Sequence, residues 1–398
     1  MNIYPVVNKN AQKEFLDVAR EIYKNDKTWV CPLDAEIENV FNPETNQSFK
    51  KGDARRWVLK NNNGELIGRI AAFYDEKKMN VNNRQPTGGI GFFECIDDME
   101  ASALLFDTAK KWLGEYGLQA MDGPINFGEN YFFWGLLVEG FIQQGYGMQY
   151  NHPYYQKLFE NYGFQNYFEQ YSYHADLSRP FNDRQVRFAE HIASKPNFTF
   201  EHFSFKNRDK YINDIVNTFN SIWSQFHESY TPLTFKDIET MVQNAKPILE
   251  EEFIWFAYND GQPIALMVAL PDVNQLIKGF KGKLNAFNVL RFIYRKWTKV
   301  VSRSRLMIAG VHPDFQASGI LGALFLRYAY AIKAKKQYKE LELSWVGDYN
   351  PKMMSIYRHL GGVRAKTHVT YRYLFDRNAP FERFGGNTHQ GKNDNNKS

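Results

Sequence analysis

The chain contains two copies of one pattern. Residues 152–164, HPYYQKLFENYGF, lie over residues 350–362, NPKMMSIYRHLGG. At one constant offset Pro153 falls on Pro351, Phe159 on Tyr357 and Gly163 on Gly361. A repeat at domain spacing means two copies of a fold rather than one large one. The stretches before each copy agree. In the first half the apolar spacing predicts a helix over 11–23. A hairpin over 56–74 follows, turned by Asn61, Asn62, Asn63 and Gly64. Then come a strand at 89–96, a helix capped by Asp97 and Asp98, a strand at 118–127, a helix at 152–163 and a strand at 167–176. The second half repeats the order: strand 198–203, helices 209–226 and 238–245, and a hairpin of 253–258 with 263–270. It ends with strand 307–311, a helix to 334, strand 339–345, helix 351–360 and strand 366–375.

At 398 residues, two domains are expected. They divide as 1–178 and 179–376, with the polar segment 377–398 as a disordered tail. The expected class is α+β, each copy a twisted, mixed, mainly antiparallel sheet flanked by helices. The 43% hydrophobic and 23% charged composition suits a globular protein with a sizeable core. Cys31 and Cys95 fit no metal spacing and are expected as free thiols, so no metal is expected. No apolar run approaches membrane-spanning length, and MNIYPVVNKN is not a signal peptide. The expected location is the cytoplasm, with peripheral contact at the inner membrane as an option.

Chemistry concentrates in 307–322, MIAGVHPDFQASGILG. It reads as a buried strand, a turn broken by His312, Pro313 and Asp314, and a helix beginning at Ile320. Free N–H groups at a helix start, with the positive end of the helix dipole, suit a phosphate or pyrophosphate. Gly319 would let the backbone approach such a ligand. Downstream, Asn350 and Pro351 open another helix, and Tyr357 stands one turn before Gly361 and Gly362.

Together these stretches resemble the GNAT N-acetyltransferase superfamily, as two tandem GNAT-like domains. In the phosphate-turn pattern [Q/R]-x-x-G-x-[G/A], Gln316 and Gly319 match and Leu321 departs, with Gly322 one residue later. In the second pattern, N-x-x-A-x-x-Φ-Y-x-x-x-G-F, Asn350, Ile356, Tyr357 and Gly361 match, while Met353 and Gly362 depart. The resemblance implies transfer of an acyl group from acetyl-CoA or another acyl-CoA to a primary amine. It implies CoA contacts from Ile308, Gly310 and Val311 on the strand. The turn would add Gln316, Ala317, Ser318, Gly319, Ile320, Leu321 and Gly322, and the next helix Asn350. Tyr357 is the matched position for the acid that protonates the leaving thiolate. For a base, Glu342 is the first candidate, with His312, Asp348 and His227 behind it. The first half has IDDMEASA where its phosphate turn should be, and Phe159 in place of the tyrosine. Its carboxylates would repel a pyrophosphate. That half is expected to keep the fold and shape the acceptor site, through Asn126, Glu129 and Asn130 of an aromatic loop and through Tyr154 and Tyr155.

Residues 276–305 hold nine basic side chains and no Asp or Glu. Three readings stay open: a solvated face, a surface helix drawn to anionic lipid through 279–305, and a nucleic-acid contact. The last is set lowest because no recognised motif accompanies the patch. Arg303 and Arg305 are alternatives for holding CoA phosphates. The acceptor also stays open between a small amine and a lipid-borne amine. A non-catalytic binding protein and an aminoacyl-tRNA-dependent transferase, as in the two-lobed Fem-type proteins, remain rivals.

Overall fold

A computed structural model describes residues 1–81, 83–224 and 232–385. The first half runs β1 (Asn2–Pro5), α1 (Lys9–Ile22), α2 (Asp34–Val40), β2 (Gly52–Lys60), β3 (Leu66–Asp75), β4 (Thr87–Cys95), α3 (Met99–Glu115), β5 (Ala120–Gly123), β6 (Leu136–Glu139), α4 (Tyr155–Tyr162) and β7 (Gln165–Asp176). The second runs α5 (Asp183–Ala193), β8 (Phe198–His202), α6 (Arg208–Trp223), α7 (Phe235–Ala245), β9 (Ile254–Asn259), β10 (Gln262–Pro271), α8 (Val273–Ile277), α9 (Ala286–Trp297), β11 (Arg303–Val311), α10 (Ile320–Ala334), β12 (Glu340–Gly347), α11 (Pro351–His359) and β13 (Val363–Leu374). The capping expectation holds at α3, where the Asp98 side chain accepts from the Ala101 N–H.

Among the described residues, one sheet joins both halves in the order β1-β2-β3-β4-β5-β13-β7-β12-β11-β10-β9-β8, with β6 paired to β13. The last strand of each half is exchanged. β13 pairs with β5 of the first half, and β7 pairs with β12 of the second. The cores follow the exchange: Val369, Tyr371 and Tyr373 pack in the first-half core, and Tyr173 and Ala175 in the second. The 178/179 division therefore runs along the sequence, while the strand order crosses it three times, at β5/β13, β13/β7 and β7/β12.

Among the described residues two strand pairs are parallel, β4 with β5 and β11 with β12. In the second half this pairing runs from Arg303 with Glu340 to Leu306 with Leu343 and stops. At the same level β11 bulges. Ile308 pairs with Val268 and Leu306 with Ala269, leaving Met307 without a partner. β12 bulges there too, between Leu343 and Val346. Bulges bend a strand and end its pairing, so β11 and β12 splay apart. Among the described residues no strand covers the edge of β11 from Met307 to Val311, which faces the gap.

The first half begins the same gap and fills it. β4 pairs with β5 only over Thr87 to Gly89, and its register with β3 slips between Arg69 and Ala71. The chain leaving β5 then turns back into the opening. The Ile125 N–H donates to the Ile90 carbonyl at 2.8 Å, and the Ile125 carbonyl lies over Gly91.

Of the segment expected as a tail, 386–398 lie outside the described residues. Its first part is held against the sheet: the Phe384 N–H donates to the Tyr167 carbonyl at 3.0 Å, and Arg383 pairs with Asp348 at 2.6 Å.

Candidate active site

The turn after β11 has the form expected of an anion cradle. Gly319 stands at φ +80° as the N-cap of α10, a left-handed conformation that costs a residue with a Cβ about 1–2 kcal/mol. A Cβ there would also press on the Phe188 ring at 2.7 Å. Among the described residues the N–H groups of Ala317, Gly319, Leu321 and Gly322 donate to nothing, while Ser318 donates to Phe315 and Ile320 to the Ser318 hydroxyl. Leu321 packs toward the core, and the space beside Gly322 is open. Gln316 and Ala317 are exposed at the rim.

Met307 to Gly310 are half-buried along the open edge of β11. Gly310 lies against Ile222 and Trp223 of α6. Asn350 is first of all a cap: its side chain accepts from the Met353 N–H at 3.1 Å and starts α11. Tyr357 is buried, edge-on to Tyr173 of the exchanged strand at 5.5 Å. Its phenol makes no hydrogen bond among the described residues, and burial, with Tyr173 beside it, holds its pKa above the ordinary value.

Glu342 faces neither open cleft nor solvent, which corrects its expected place as an accessible base. It is fully buried. Its carboxylate accepts from Lys366 Nζ at 2.7 Å and pairs with His174 Nε2 at 3.0 Å. Arg303 and Arg305 stand 3.7 and 3.8 Å away. Burial alone would raise this carboxyl; Lys366, the His174 hydrogen bond and Arg303 outweigh it and hold it well below its usual value. Such a carboxylate stays ionised and is a weak base. His312 and Asp348 lie on surface turns, and Asp348 is engaged by Arg383. His227 lies outside the described residues.

Arg303 and Arg305 stand at the start of β11, at the opposite end from the turn that follows it. Arg303 donates from Nε to Asp272 at 2.8 Å. Arg305 is 2% exposed, yet its Nε and Nη1 have no hydrogen-bond partner among the described residues.

The aromatic loop 123–141 lies over this place. Asn130 and Trp134 line a small pocket with Gln170, Arg305, Trp345 and His368. The Asn130 carbonyl also accepts from the Trp345 indole at 3.4 Å. Asn126 braces the loop through the Glu129 carbonyl at 3.1 Å, and Glu129 pairs with Lys78 on the surface. Tyr154 and Tyr155 belong elsewhere, a second correction. Tyr154 donates to the Cys95 carbonyl at 2.7 Å. Tyr155 donates to Glu94 at 2.8 Å, in a buried cluster with Tyr23 and Arg69 inside the first half. Their place on α4 resembled the site helix of the second half, but that cluster serves the core of the first.

Within the basic segment 286–297 form α9, and the helix is inverted. On α9 the charged side faces the protein: Arg291 and Arg295 sit over the Phe280 ring, and Arg295 donates to the Leu276 and Lys278 carbonyls. Phe287, Leu290, Tyr294 and Trp297, spaced along one helical face, point outward, Trp297 at 78% exposure. No helix among the described residues is long and apolar enough to cross a membrane.

No protein-family model matches this chain. It is similar to a protein of Caulobacter vibrioides named bacterial ceramide synthase, at 26% identity over 380 residues, covering 93% of this chain and 97% of that one. Among solved structures it is similar to a GCN5-related glucosamine N-acetyltransferase region of a fungal multi-domain protein, with TM-score 0.56 and 12% identity. That match covers 94% of this chain but only 38% of the other. It is also similar to a tandem GNAT protein from the clavulanic acid biosynthesis pathway, with TM-score 0.55, 9% identity and coverage of 96% and 99%. The chain has the tandem GNAT fold.

Proposed function

We propose that this chain is an N-acyltransferase that moves an acyl group from an acyl-CoA to a primary amine, with the second half holding the acyl-CoA and the amine borne by a lipid. The observation that carries the reading is the difference between the two gaps. The β11/β12 gap is open along Met307 to Val311 and leads to a turn with unengaged N–H groups. The β4/β5 gap is filled by Ile125. An extended arm can add to a free strand edge by main-chain hydrogen bonds, and a pyrophosphate suits the start of α10. Those free N–H groups also favour a catalytic copy over a binding protein that has lost its cofactor. The first half shapes the acceptor side through the loop carrying Asn130.

In the reaction, the amine lone pair attacks the thioester carbonyl and the carbon–sulfur bond breaks. Tyr357, protonated at neutral pH, supplies the proton to the leaving thiolate; the amine proton lost on amide formation restores the balance.

The lipid acceptor is supported by two observations. The relative in Caulobacter vibrioides is named for making ceramide, the amide of a long-chain base. The outward apolar face of α9, flanked by Lys281, Lys283 and Lys299 and free of acidic residues, has the chemistry of a helix lying in an anionic lipid surface. Purified protein is given acetyl-CoA or palmitoyl-CoA with a small amine, an amino acid or a long-chain amino alcohol, and thiol release is followed. Thiol released from palmitoyl-CoA only with the long-chain amine supports the proposal. Release with the small amines alone removes the lipid acceptor, and release with none removes the acyltransfer reading.

A further inference from the structure

Eight buried side-chain nitrogen and oxygen atoms lack a hydrogen-bond partner among the described residues. Five of them belong to Gln170, Ser172, Arg305 and Glu342, neighbours on β7, β11 and β12. An unpaired buried polar atom costs about 1–3 kcal/mol, more when charged, so one patch holding most of them points to a ligand. The charges agree. Arg303, Arg305 and Lys366 face Glu342 and Asp272, an excess of cation before His174 is counted. Burial makes Arg305 easier to deprotonate than usual, against the pull of Glu342.

The orientation of the free donors is set by their neighbours. The Trp134 indole donates to the Thr370 hydroxyl at 3.0 Å, and that hydroxyl donates to Gln170 Oε1 at 3.1 Å. The carboxamide is therefore fixed with Nε2 free. Gln170 and Arg305 line the same pocket. Arg305 pairs with Glu342 one position before the last β11/β12 pair, so it stands at the vertex of the open gap. Tyr357 packs with Tyr173, which alternates with Gln170, Ser172 and His174 along β7 and so belongs to the other face.

We propose that Arg305 and Gln170 together bind a substrate oxygen at the vertex, the thioester carbonyl oxygen as it becomes an oxyanion. This rests on the acyltransfer reading. An arm entering from the Gly319 turn and running back along β11 ends at that vertex. As the amine forms its bond to the carbonyl carbon, the carbon–oxygen π pair moves onto oxygen, where the guanidinium and the amide N–H hold it. The pair returns as the carbon–sulfur bond breaks, and the thiolate takes a proton. Donors fixed in advance in a dry site are the strongest means of stabilising such charge. An oxygen on the acceptor offers the same acceptor chemistry, and the test separates the two.

The experiment compares wild type with Arg305→Met and Gln170→Glu by steady-state kinetics, CoA calorimetry and melting. The proposal expects Arg305→Met to lower kcat about 10²- to 10³-fold. Its KM values and CoA affinity stay within threefold, and its melting temperature is no lower, because the guanidinium that goes has two buried N–H groups without hydrogen-bond partners among the described residues and only a 3.8 Å contact with Glu342. Gln170→Glu should also lower kcat, since its added carboxylate would occupy Arg305. A raised amine KM with unchanged kcat would assign the pocket to an acceptor oxygen and overturn the oxyanion role. A lower melting temperature with unchanged kcat would make Arg305 a structural partner of Glu342 and overturn it too. A wild type without thiol release fails the acyltransfer reading instead; melting then still decides whether Arg305 is a structural partner of Glu342.

Discussion

The carbonyl oxygen of Ile125 occupies the space that a Cβ on Gly91 would need, so the two residues close the first-half gap together. Gly91→Ala must displace backbone, not a flexible side-chain end. It is expected to destabilise the protein by about 3 kcal/mol, at the upper end of overpacking costs, while the folded protein keeps its affinity for acyl-CoA. Urea unfolding and calorimetry check both parts. Full stability in Gly91→Ala would mean that the gap is not closed in this way.

Tyr357 is buried, and its hydroxyl makes no hydrogen bond among the described residues. Tyr357→Phe removes only that hydroxyl. The expected result is a fall in kcat of about 10²-fold, within the range for a lost general acid, with an unchanged or higher melting temperature. Retained kcat would remove Tyr357 from the proton path.

Burial pushes the His368 imidazole down to about 4, with its Nε2–H donating to the Gln149 carbonyl at 3.0 Å. The unfolded chain binds this proton below about 6.5, whereas the folded protein binds it only near 4. The unfolded state thus holds more protons between those values, and stability falls as pH drops through that window. The difference of about 2.5 units corresponds to ~3 kcal/mol. Wild type should lose about that much more than His368→Gln between pH 7 and pH 4, measured by chemical denaturation. Parallel curves for the two proteins would contradict it.

The outward face of α9 predicts binding to vesicles containing phosphatidylglycerol, with a blue shift of tryptophan emission as Trp297 leaves water. Moving one such side chain out of water is worth about 1.5–3 kcal/mol. Phe287→Ser with Trp297→Ser should therefore weaken binding at least 100-fold. Equal sedimentation of the variant with those vesicles would show that α9 is not the contact.

Much of the architecture was legible because the signals are local. The 307–311 apolar run, the Asp98 cap and the repeat around Tyr357 all sit where their patterns place them. The start of β11 was not: Arg303 and Arg305 read as surface cations, although R-S-R-L alternates as a buried strand does. Only tertiary pairing with Asp272 and Glu342 brings such charges inside. The exchange of β7 and β13 leaves no local trace either, since only the tertiary pairing of β13 with β5 and β7 with β12 shows it. Tyr154 and Tyr155 were misplaced because the repeat carries position but not partner, and Glu94 claims Tyr155. Gln170 gave no sign of a role, because its importance lies in a free amide that only its neighbours define.

The central claim is that the second half alone takes acyl-CoA, along the open edge of β11. Amide hydrogen exchange with and without palmitoyl-CoA reads that edge directly. Added protection over 307–311 and 317–322, with none added over 87–95, is the predicted result. Protection over 87–95 instead, or none in either gap at saturating ligand, would contradict it.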